Sequence, residues 1–333
     1  MNSARALSDS VSVKPGCVLT IGNFDGVHLG HHEILARAKD MAEARQTELV
    51  VLTFEPHPVA VLYPERAPGV LTPLILKRRL LYPYVQDCIL VLEDNRELLS
   101  LSAQAFVADF LAERIRPSVI VEGDDFNFGA NRQGNIATLT ALGQDHGFEV
   151  VVVDAKYIHL STGQRIRVSS TMIRYMLESG HVADAALALG RPYRLTGQIV
   201  SGRGKGRELG FPTFNMQKPN QIIPAEGVYA GYLRLPDSTD ERLGEADALP
   251  AVLSIGQAAT FGNQFPLSIE AHVLDRSLTD VAAAHMTLDF VTHLRSQHKF
   301  PSPEDLVRQI ELDCREARRA LSGEPDRSLE IGP

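Results

Sequence analysis

The sequence predicts two domains of different class: an α/β Rossmann-like domain built on a parallel sheet, then an antiparallel β-barrel or sandwich that ends in a helix. Three observations predict this. Strand-like apolar runs alternate with helical stripes through the first half. From Arg191 onward, short β-like runs are punctuated by glycine and proline. Near Ser302 the helical period returns.

In the first half, Cys17-Val18-Leu19-Thr20-Ile21, Glu48-Leu49-Val50-Val51-Leu52-Thr53-Phe54, 88–92, Val119-Ile120-Val121 and Glu149-Val150-Val151-Val152-Val153 read as buried strands. Between them, Ile34, Leu35, Ala38 and Met41 make one apolar stripe. Phe106, Val107, Phe110 and Leu111 make another, with Ser102 as its N-cap. Further on, 193–200, 227–235, 249–255 and 268–274 read as antiparallel strands, and the charged stretch 237–247 as a solvated hairpin loop. Ser302 is placed to cap a last helix with Pro303 at its first position and Glu304 and Asp305 behind; Leu306, Ile310, Cys314 and Ala317 form its buried side. The domain change is expected at 188–192, giving domains 1–188 and 189–325 and a frayed tail 326–333.

At 333 residues, 44% hydrophobic and 22% charged, the chain has the composition of a soluble globular protein with room for two domains. A net charge of −8 argues against non-specific nucleic-acid binding, which needs a basic face. It does not argue against ATP, whose phosphates arrive with Mg²⁺. Cys17, Cys88 and Cys314 make neither a disulfide framework nor a zinc motif, so they are expected as buried thiols in a reducing cytoplasm. Residues 1–12 lack the apolar core of a signal peptide, and no apolar run is long enough to span a bilayer. Whether the chain forms a homo-oligomer is left open.

The densest motif is Gly22-Asn23-Phe24-Asp25-Gly26-Val27-His28-Leu29-Gly30-His31, between a strand and a helix. There a Rossmann-like sheet places its nucleotide, and two imidazoles three residues apart, with a helix N-terminus, suit phosphate oxygens that gain charge in a nucleotidyl transfer. The alternative is a capped turn or a metal site. In Phe54-Glu55-Pro56-His57-Pro58, two prolines stiffen a loop that is equally a wall of the site or a plain crossover. In Glu122-Gly123-Asp124-Asp125-Phe126-Asn127-Phe128-Gly129, the acids can bond ribose hydroxyls or an adenine amine, hold Mg²⁺, or merely cap a turn; the aromatics can stack on a flat ring or pack beneath the loop. Ser169-Ser170-Thr171-Met172-Ile173-Arg174 opens a helix, with hydroxyls and a guanidinium suited to phosphate. In the second half, Gly202, Gly204 and Gly206 alternate with basic residues around Lys205, in a spacing that is not a Walker A loop. Thr213 and Asn215 share one face of a strand and offer neutral oxygens suited to Mg²⁺. Glu270 alternates with Ile269 and Ala271 and is placed to take a proton from a hydroxyl nucleophile.

Taken in order, GNFDGVHLGH, FEPHP, GDDFNFG, SSTMIR, LGRPYRLTGQIVSG, GRELGFPTFN, GVYAG, IEAHVLD and KFPSPEDL resemble the bifunctional bacterial riboflavin kinase/FMN adenylyltransferases, the FAD synthetases, over nearly the whole chain. The resemblance implies an N-terminal nucleotidyltransferase domain and a C-terminal six-stranded barrel with a terminal helix. It implies that riboflavin is phosphorylated to FMN and that FMN is adenylylated to FAD, each with ATP. His28 and His31 would hold ATP phosphates, with Gly22, Asn23, Phe24, Asp25, Asp125, Ser170, Thr171 and Arg174 lining that site. In the barrel, Thr213 and Asn215 would hold Mg²⁺, Gly202, Gly204, Lys205 and Gly206 would lie over phosphates, and Glu270 would act as base on the ribityl 5′-hydroxyl. The chain departs from the family pattern at Ser254-Ile255-Gly256-Gln257-Ala258-Ala259-Thr260, at Phe214 within the metal motif, around Leu278-Thr279-Asp280, and at Ser296-Gln297 after Arg295. These departures keep a second reading open: an FMN adenylyltransferase whose kinase barrel is weakened or inactive.

Overall fold

The computed structural model describes residues 3–4, 13–85, 88–93, 96–202, 204–235, 248–257, 267–275 and 283–323. The expected loop 237–247, the departures at 258–260 and 278–280, and the tail 326–333 lie outside the described residues. The chain forms two compact units: described residues through Ile158 with Ile166–Ser169, and His159–Arg165 with Ser170 onward. By packing, residues 170–188 therefore go with the second unit, whereas the expected domain change lay at 188–192.

In the first unit, β1 (Ser3–Ala4), β2 (Val18–Ile21), β3 (Leu49–Phe54), β4 (Ile89–Leu92) and β5 (Val119–Gly123) join a later strand in one sheet. After a small ribbon of β6 (Asn127–Phe128) and β7 (Gly134–Asn135), β8 (Glu149–Val153) completes it, in the order β1-β4-β3-β2-β5-β8. The pairs are parallel. Alternate residues face opposite sides of the sheet. Leu19, Ile21, Val50, Leu52 and Ile120 enter one core cluster, and Val18, Val51, Val119 and Val121 enter the other. Both faces must then be covered. One takes Leu35, Ala38 and Ala42 of α1 (Leu29–Ala44). The short α2 (Pro58–Leu62) intervenes, and α3 (Leu74–Leu81) adds Leu76, Leu80 and Leu81 to the same face.

The opposite face is covered after α4 (Arg96–Ser100) by α5 (Ala103–Ala105), which runs into a π-helical stretch, Phe106–Ile115, and by α6 (Ile136–His146). Ser102 caps α5 as expected, its hydroxyl accepting the Ala105 N–H at 3.1 Å, and the stripe Phe106, Val107, Phe110, Leu111 is buried. A second ribbon pairs β9 (Tyr157–His159) with β10 (Arg165–Arg167).

The second unit carries α7 (Ser170–Glu178) and α8 (Val182–Leu189), which pack on each other, and a closed antiparallel barrel. The barrel starts with β11 (Tyr193–Val200), a short α9 (Lys205–Glu208) and β12 (Phe214–Met216). It continues with β13 (Gly227–Arg234), β14 (Leu249–Gln257), β15 (Leu267–Val273) and β16 (His285–Arg295), in the order β11-β12-β15-β14-β13-β16. The terminal helix α10 (Pro303–Leu321) is capped by Ser302, whose hydroxyl accepts the Asp305 N–H at 3.1 Å; it buries Cys314, Ala317 and Leu321 against Val228, Ala230 and Val252.

Strand β16 was not read from the sequence. Met286, Thr287, Leu288, Asp289, Phe290 and Val291 are buried without alternation, and a carboxylate in mid-run masks the apolar pattern. Asp289 can be buried because Arg194 Nε and Nη2 donate to its two oxygens at 2.6 and 2.7 Å and Arg234 Nε donates at 3.0 Å. Likewise Arg295 grips Asp313 of α10 with two donors at 2.8 and 2.7 Å. Breaking such a buried pair from one side costs on the order of 3–5 kcal/mol, because the partner charge stays buried. Asp289→Ala is expected to lower the second unit's stability by about that amount, read as a shift of its transition in urea unfolding followed by far-UV circular dichroism while the first unit's transition stays in place.

Candidate active sites

In the first unit the β2–β5 ladder runs only through Val18↔Val119 and Leu19↔Ile120, whereas β2 stays paired with β3 through Ile21↔Leu52, and β5 with β8 through Gly123↔Val153. The strand order reverses at this pair, so a crevice opens at the carboxyl ends where such sheets bind ligands. The Gly22–His31 motif leaves β2 on one side of it and the Asp124–Asp125 loop leaves β5 on the other. The buried Glu122 carboxyl lies between, its Oε1 accepting the Ile21 N–H at 2.5 Å.

His28 is the N-cap of α1. Its Nδ1 accepts the His31 N–H at 3.3 Å while His31 Nδ1 accepts the His28 N–H at 3.3 Å, a reciprocal capping box. The two rings stack at 3.6 Å between centroids and 12° between planes. A neutral imidazole whose Nδ1 accepts carries its proton on Nε2. The capping box therefore sets one tautomer in both rings and makes each Nε2–H a donor beside the helix N-terminus.

The rest of the loop holds this pair. Phe24, 1% exposed, meets the His31 ring edge-on at 5.2 Å. The Asp25 carboxylate accepts the N–H groups of Leu71 and Thr72 at 3.1 and 2.9 Å, and the Thr72 hydroxyl in turn accepts the Gly26 N–H at 2.8 Å. Gly22 carries no side chain where a Cβ would sit 3.2 Å from the Phe24 ring.

The FEPHP loop meets the same motif. His57 Nδ1 caps α2 by accepting the Val59 N–H at 3.1 Å, and its Nε2 lies 3.1 Å from Asn23 Nδ2. Lys77 of α3 is buried 4.0 Å from Glu55; burial pushes its ammonium pKa down, opposed by Glu55 and Asp25. Neither His57 nor Lys77 was singled out as a site residue. The prolines flanking His57 were the available signal for the first, and the second sits in an ordinary helical stripe. On the β5 side, Arg167 pairs with Asp124 at 2.5 Å and Asp125 at 3.1 Å. Phe128 is buried against Phe106, so this aromatic packs beneath its loop. Ser170, Thr171 and Arg174 lie on the first two turns of α7, in the second unit.

In the barrel, Asn215 stands opposite Glu270 across β12 and β15, and Glu270 opposite Ser254 across β15 and β14. Directly opposed residues of an antiparallel pair share a face, so Asn215, Glu270 and Ser254 form a row across three strands. The Glu270 carboxylate accepts the Ser268 hydroxyl at 2.7 Å and the Thr213 hydroxyl at 3.2 Å. Thr213, Asn215 and Glu270 are thereby brought together, with Ser268 as an orienting donor the sequence reading missed. The glycine loop comes down on the same row, since a Cβ on Gly202 would sit 2.2 Å from Asn215 Nδ2. Gly204 has φ of 76°, which a glycine adopts without strain. Two departures meet here: Gln297 Nε2 donates to the Ser254 hydroxyl at 2.9 Å.

A family model described as FAD synthetase matches residues 10–172, and one described as riboflavin kinase matches residues 189–321. The bifunctional riboflavin kinase/FMN adenylyltransferase of Escherichia coli K12 is 34% identical over 309 residues, covering 93% of this chain and 94% of its own. That of Haemophilus influenzae is 34% identical over 318 residues, covering 96% and 98%. A Streptococcus pneumoniae crystal structure, described as a macrolide-efflux protein, matches with a TM-score of 0.81 at 25% identity, covering 95% of this chain and 98% of that one. No helix among the described residues here is long and apolar enough to cross a membrane.

The His28 ring lies over Gly30, where an added Cβ would meet its Cε1 at 3.2 Å and Nδ1 at 3.3 Å. Gly30→Ala gains about 1 kcal/mol of helix propensity and loses up to about 1 kcal/mol of cap as the ring gives way. The expected outcome is a small net change in unfolding free energy with the imidazole NMR signals of both His28 and His31 displaced.

Proposed function

Because the chain belongs to the bifunctional riboflavin kinase/FMN adenylyltransferase family, we propose that the first unit's crevice carries adenylyl transfer and the barrel's polar row carries phosphorylation. The enzyme converts riboflavin and ATP to FMN and ADP, then FMN and ATP to FAD and pyrophosphate.

The observation that carries the first assignment is the stacked, tautomer-matched His28/His31 pair at the start of α1. In adenylyl transfer an FMN phosphate oxygen bonds to the α-phosphorus of ATP as the bond to the pyrophosphate oxygen breaks. Charge gathers on the phosphoryl oxygens and the leaving group. Two Nε2–H donors and the positive end of a helix dipole are suited to meet it. Asn23 sits at the same edge, held by His57. Asp25, Phe24 and Gly22 act by shaping the loop, and Asp125 is assigned to the ribose or adenine side. Ser170, Thr171 and Arg174, two hydroxyls and a guanidinium at the start of α7, are suited to phosphate by the chemistry of their motif.

In the barrel, Glu270 takes the proton of the ribityl 5′-hydroxyl as that oxygen bonds to the γ-phosphorus and ADP departs. Ser268 and Thr213 orient its carboxylate. Thr213 and Asn215 fit a magnesium ion: both present neutral oxygens beside a carboxylate and under the glycine loop, leaving phosphate oxygens to complete the shell. When bound, the ion supplies neutralisation of phosphate charge. Gly202, Gly204 and Gly206 let the loop approach the phosphates, with Lys205 as counter-charge. The weakened-kinase reading rests on the Ser254–Gln297 pair at the end of this row; it calls for FAD from FMN without FMN from riboflavin. We further place the enzyme in a reducing cytoplasm, because Cys17, Cys88 and Cys314 are buried thiols rather than disulfides.

His28→Ala is expected to cut FAD formation from FMN on the order of a hundredfold or more while FMN formation from riboflavin persists, and Glu270→Ala to do the reverse. Separating the flavins after incubation with ATP and Mg²⁺ reads both; equal loss of both steps in either variant contradicts the two-site assignment.

A further inference from the structure

Glu122 holds no role in the adenylyl transfer assigned to this crevice, yet it occupies the point where β2 and β5 part. Past Leu19↔Ile120, the Ile21 N–H has no partner on β5, and the Glu122 carboxyl takes it instead at 2.5 Å. The residue is 3% exposed. The Thr20 hydroxyl, buried and otherwise without a partner, faces the same carboxyl. Ile21 is the last residue before the Gly22–His31 loop, and Glu122 the third before Asp125, so one side chain ties the roots of both lips of the crevice.

We propose that Glu122 is a positioning residue for adenylyl transfer: its carboxyl replaces the missing strand partner of Ile21 and so fixes where the loop bearing Asn23, His28 and His31 leaves the sheet. It does not touch the reacting atoms. Its charged neighbour is Asp125, which is paired outward with Arg167. Burial accordingly pushes the Glu122 carboxyl well above the usual carboxylate range, with Asp125 adding to the shift and the Ile21 N–H and Thr20 hydroxyl opposing it. The contact with Ile21 does not depend on that proton, since a carboxylate accepts an N–H at least as strongly as a carboxylic acid does.

The inference rests on the His28/His31 reading, and the test separates the two. FAD formation from FMN is measured for the full-length wild type, Glu122→Leu and Glu122→Gln, with FMN formation from riboflavin followed on the same samples. Glu122→Leu removes the acceptor and is expected to lower FAD formation tenfold to about a hundredfold, the scale of a sub-ångström to ~1 Å misplacement, leaving FMN formation intact. Glu122→Gln keeps an acceptor at the same reach and should recover most of that rate. Wild-type FAD formation by Glu122→Leu, or a loss in Glu122→Gln as large as in Glu122→Leu, overturns the proposal. Where Glu122→Leu does not fold, Glu122→Gln decides alone: FAD formation near wild type supports the acceptor role, and a tenfold or greater loss overturns it. Full FAD formation by His28→Ala would instead overturn the site assignment beneath it.

Discussion

Beyond Leu19 and Ile120 the two central strands of the first unit no longer bond each other, although each keeps its outer neighbour. Backbone polar groups left unpaired in a buried sheet are costly, so such a split persists only where something else satisfies them. Here a buried carboxyl takes the Ile21 N–H, and the chain is free to leave β2 as a loop without reclosing the sheet. The rest of the first site follows from that exit. Asp25 ties the loop to Leu71 and Thr72, Phe24 braces His31, and α1 begins at His28 with two rings locked by each other's backbone. The same capping box that starts the helix sets the tautomer of both rings, so the helix start and the two Nε2–H donors rest on the same two hydrogen bonds.

The barrel solves a different problem. Its polar row lies on adjacent strands that antiparallel register aligns: Asn215, Glu270 and Ser254 stand directly across from one another. A closed barrel has no sliding edge, so this register is firmly held. The buried Arg194–Asp289–Arg234 cluster adds to that by joining β11, β13 and β16 through one carboxylate. Ser254 and Gln297, both at departures from the family pattern, are hydrogen-bonded to each other.

Period and composition alone carried the fold class, most elements and the identity of the motif residues. Alternating apolar runs and stripes are short-range signals written in side-chain type, so the strands β2, β3 and β8, the α1 stripe and the Ser302 cap were legible from neighbours a few residues away. The failures were long-range. Strand β16 was masked because Asp289 is neutralised by arginines 95 and 55 positions distant. His57 and Ser268 gained their places only through contacts made on folding, with Asn23 and Glu270. Glu122 looked like one acid among three in a turn. That it faces inward to the Ile21 N–H, 101 residues away, while Asp124 and Asp125 turn out to Arg167, depends on where the sheet parts, and strand register is set by packing across the whole unit rather than by any local run of residues.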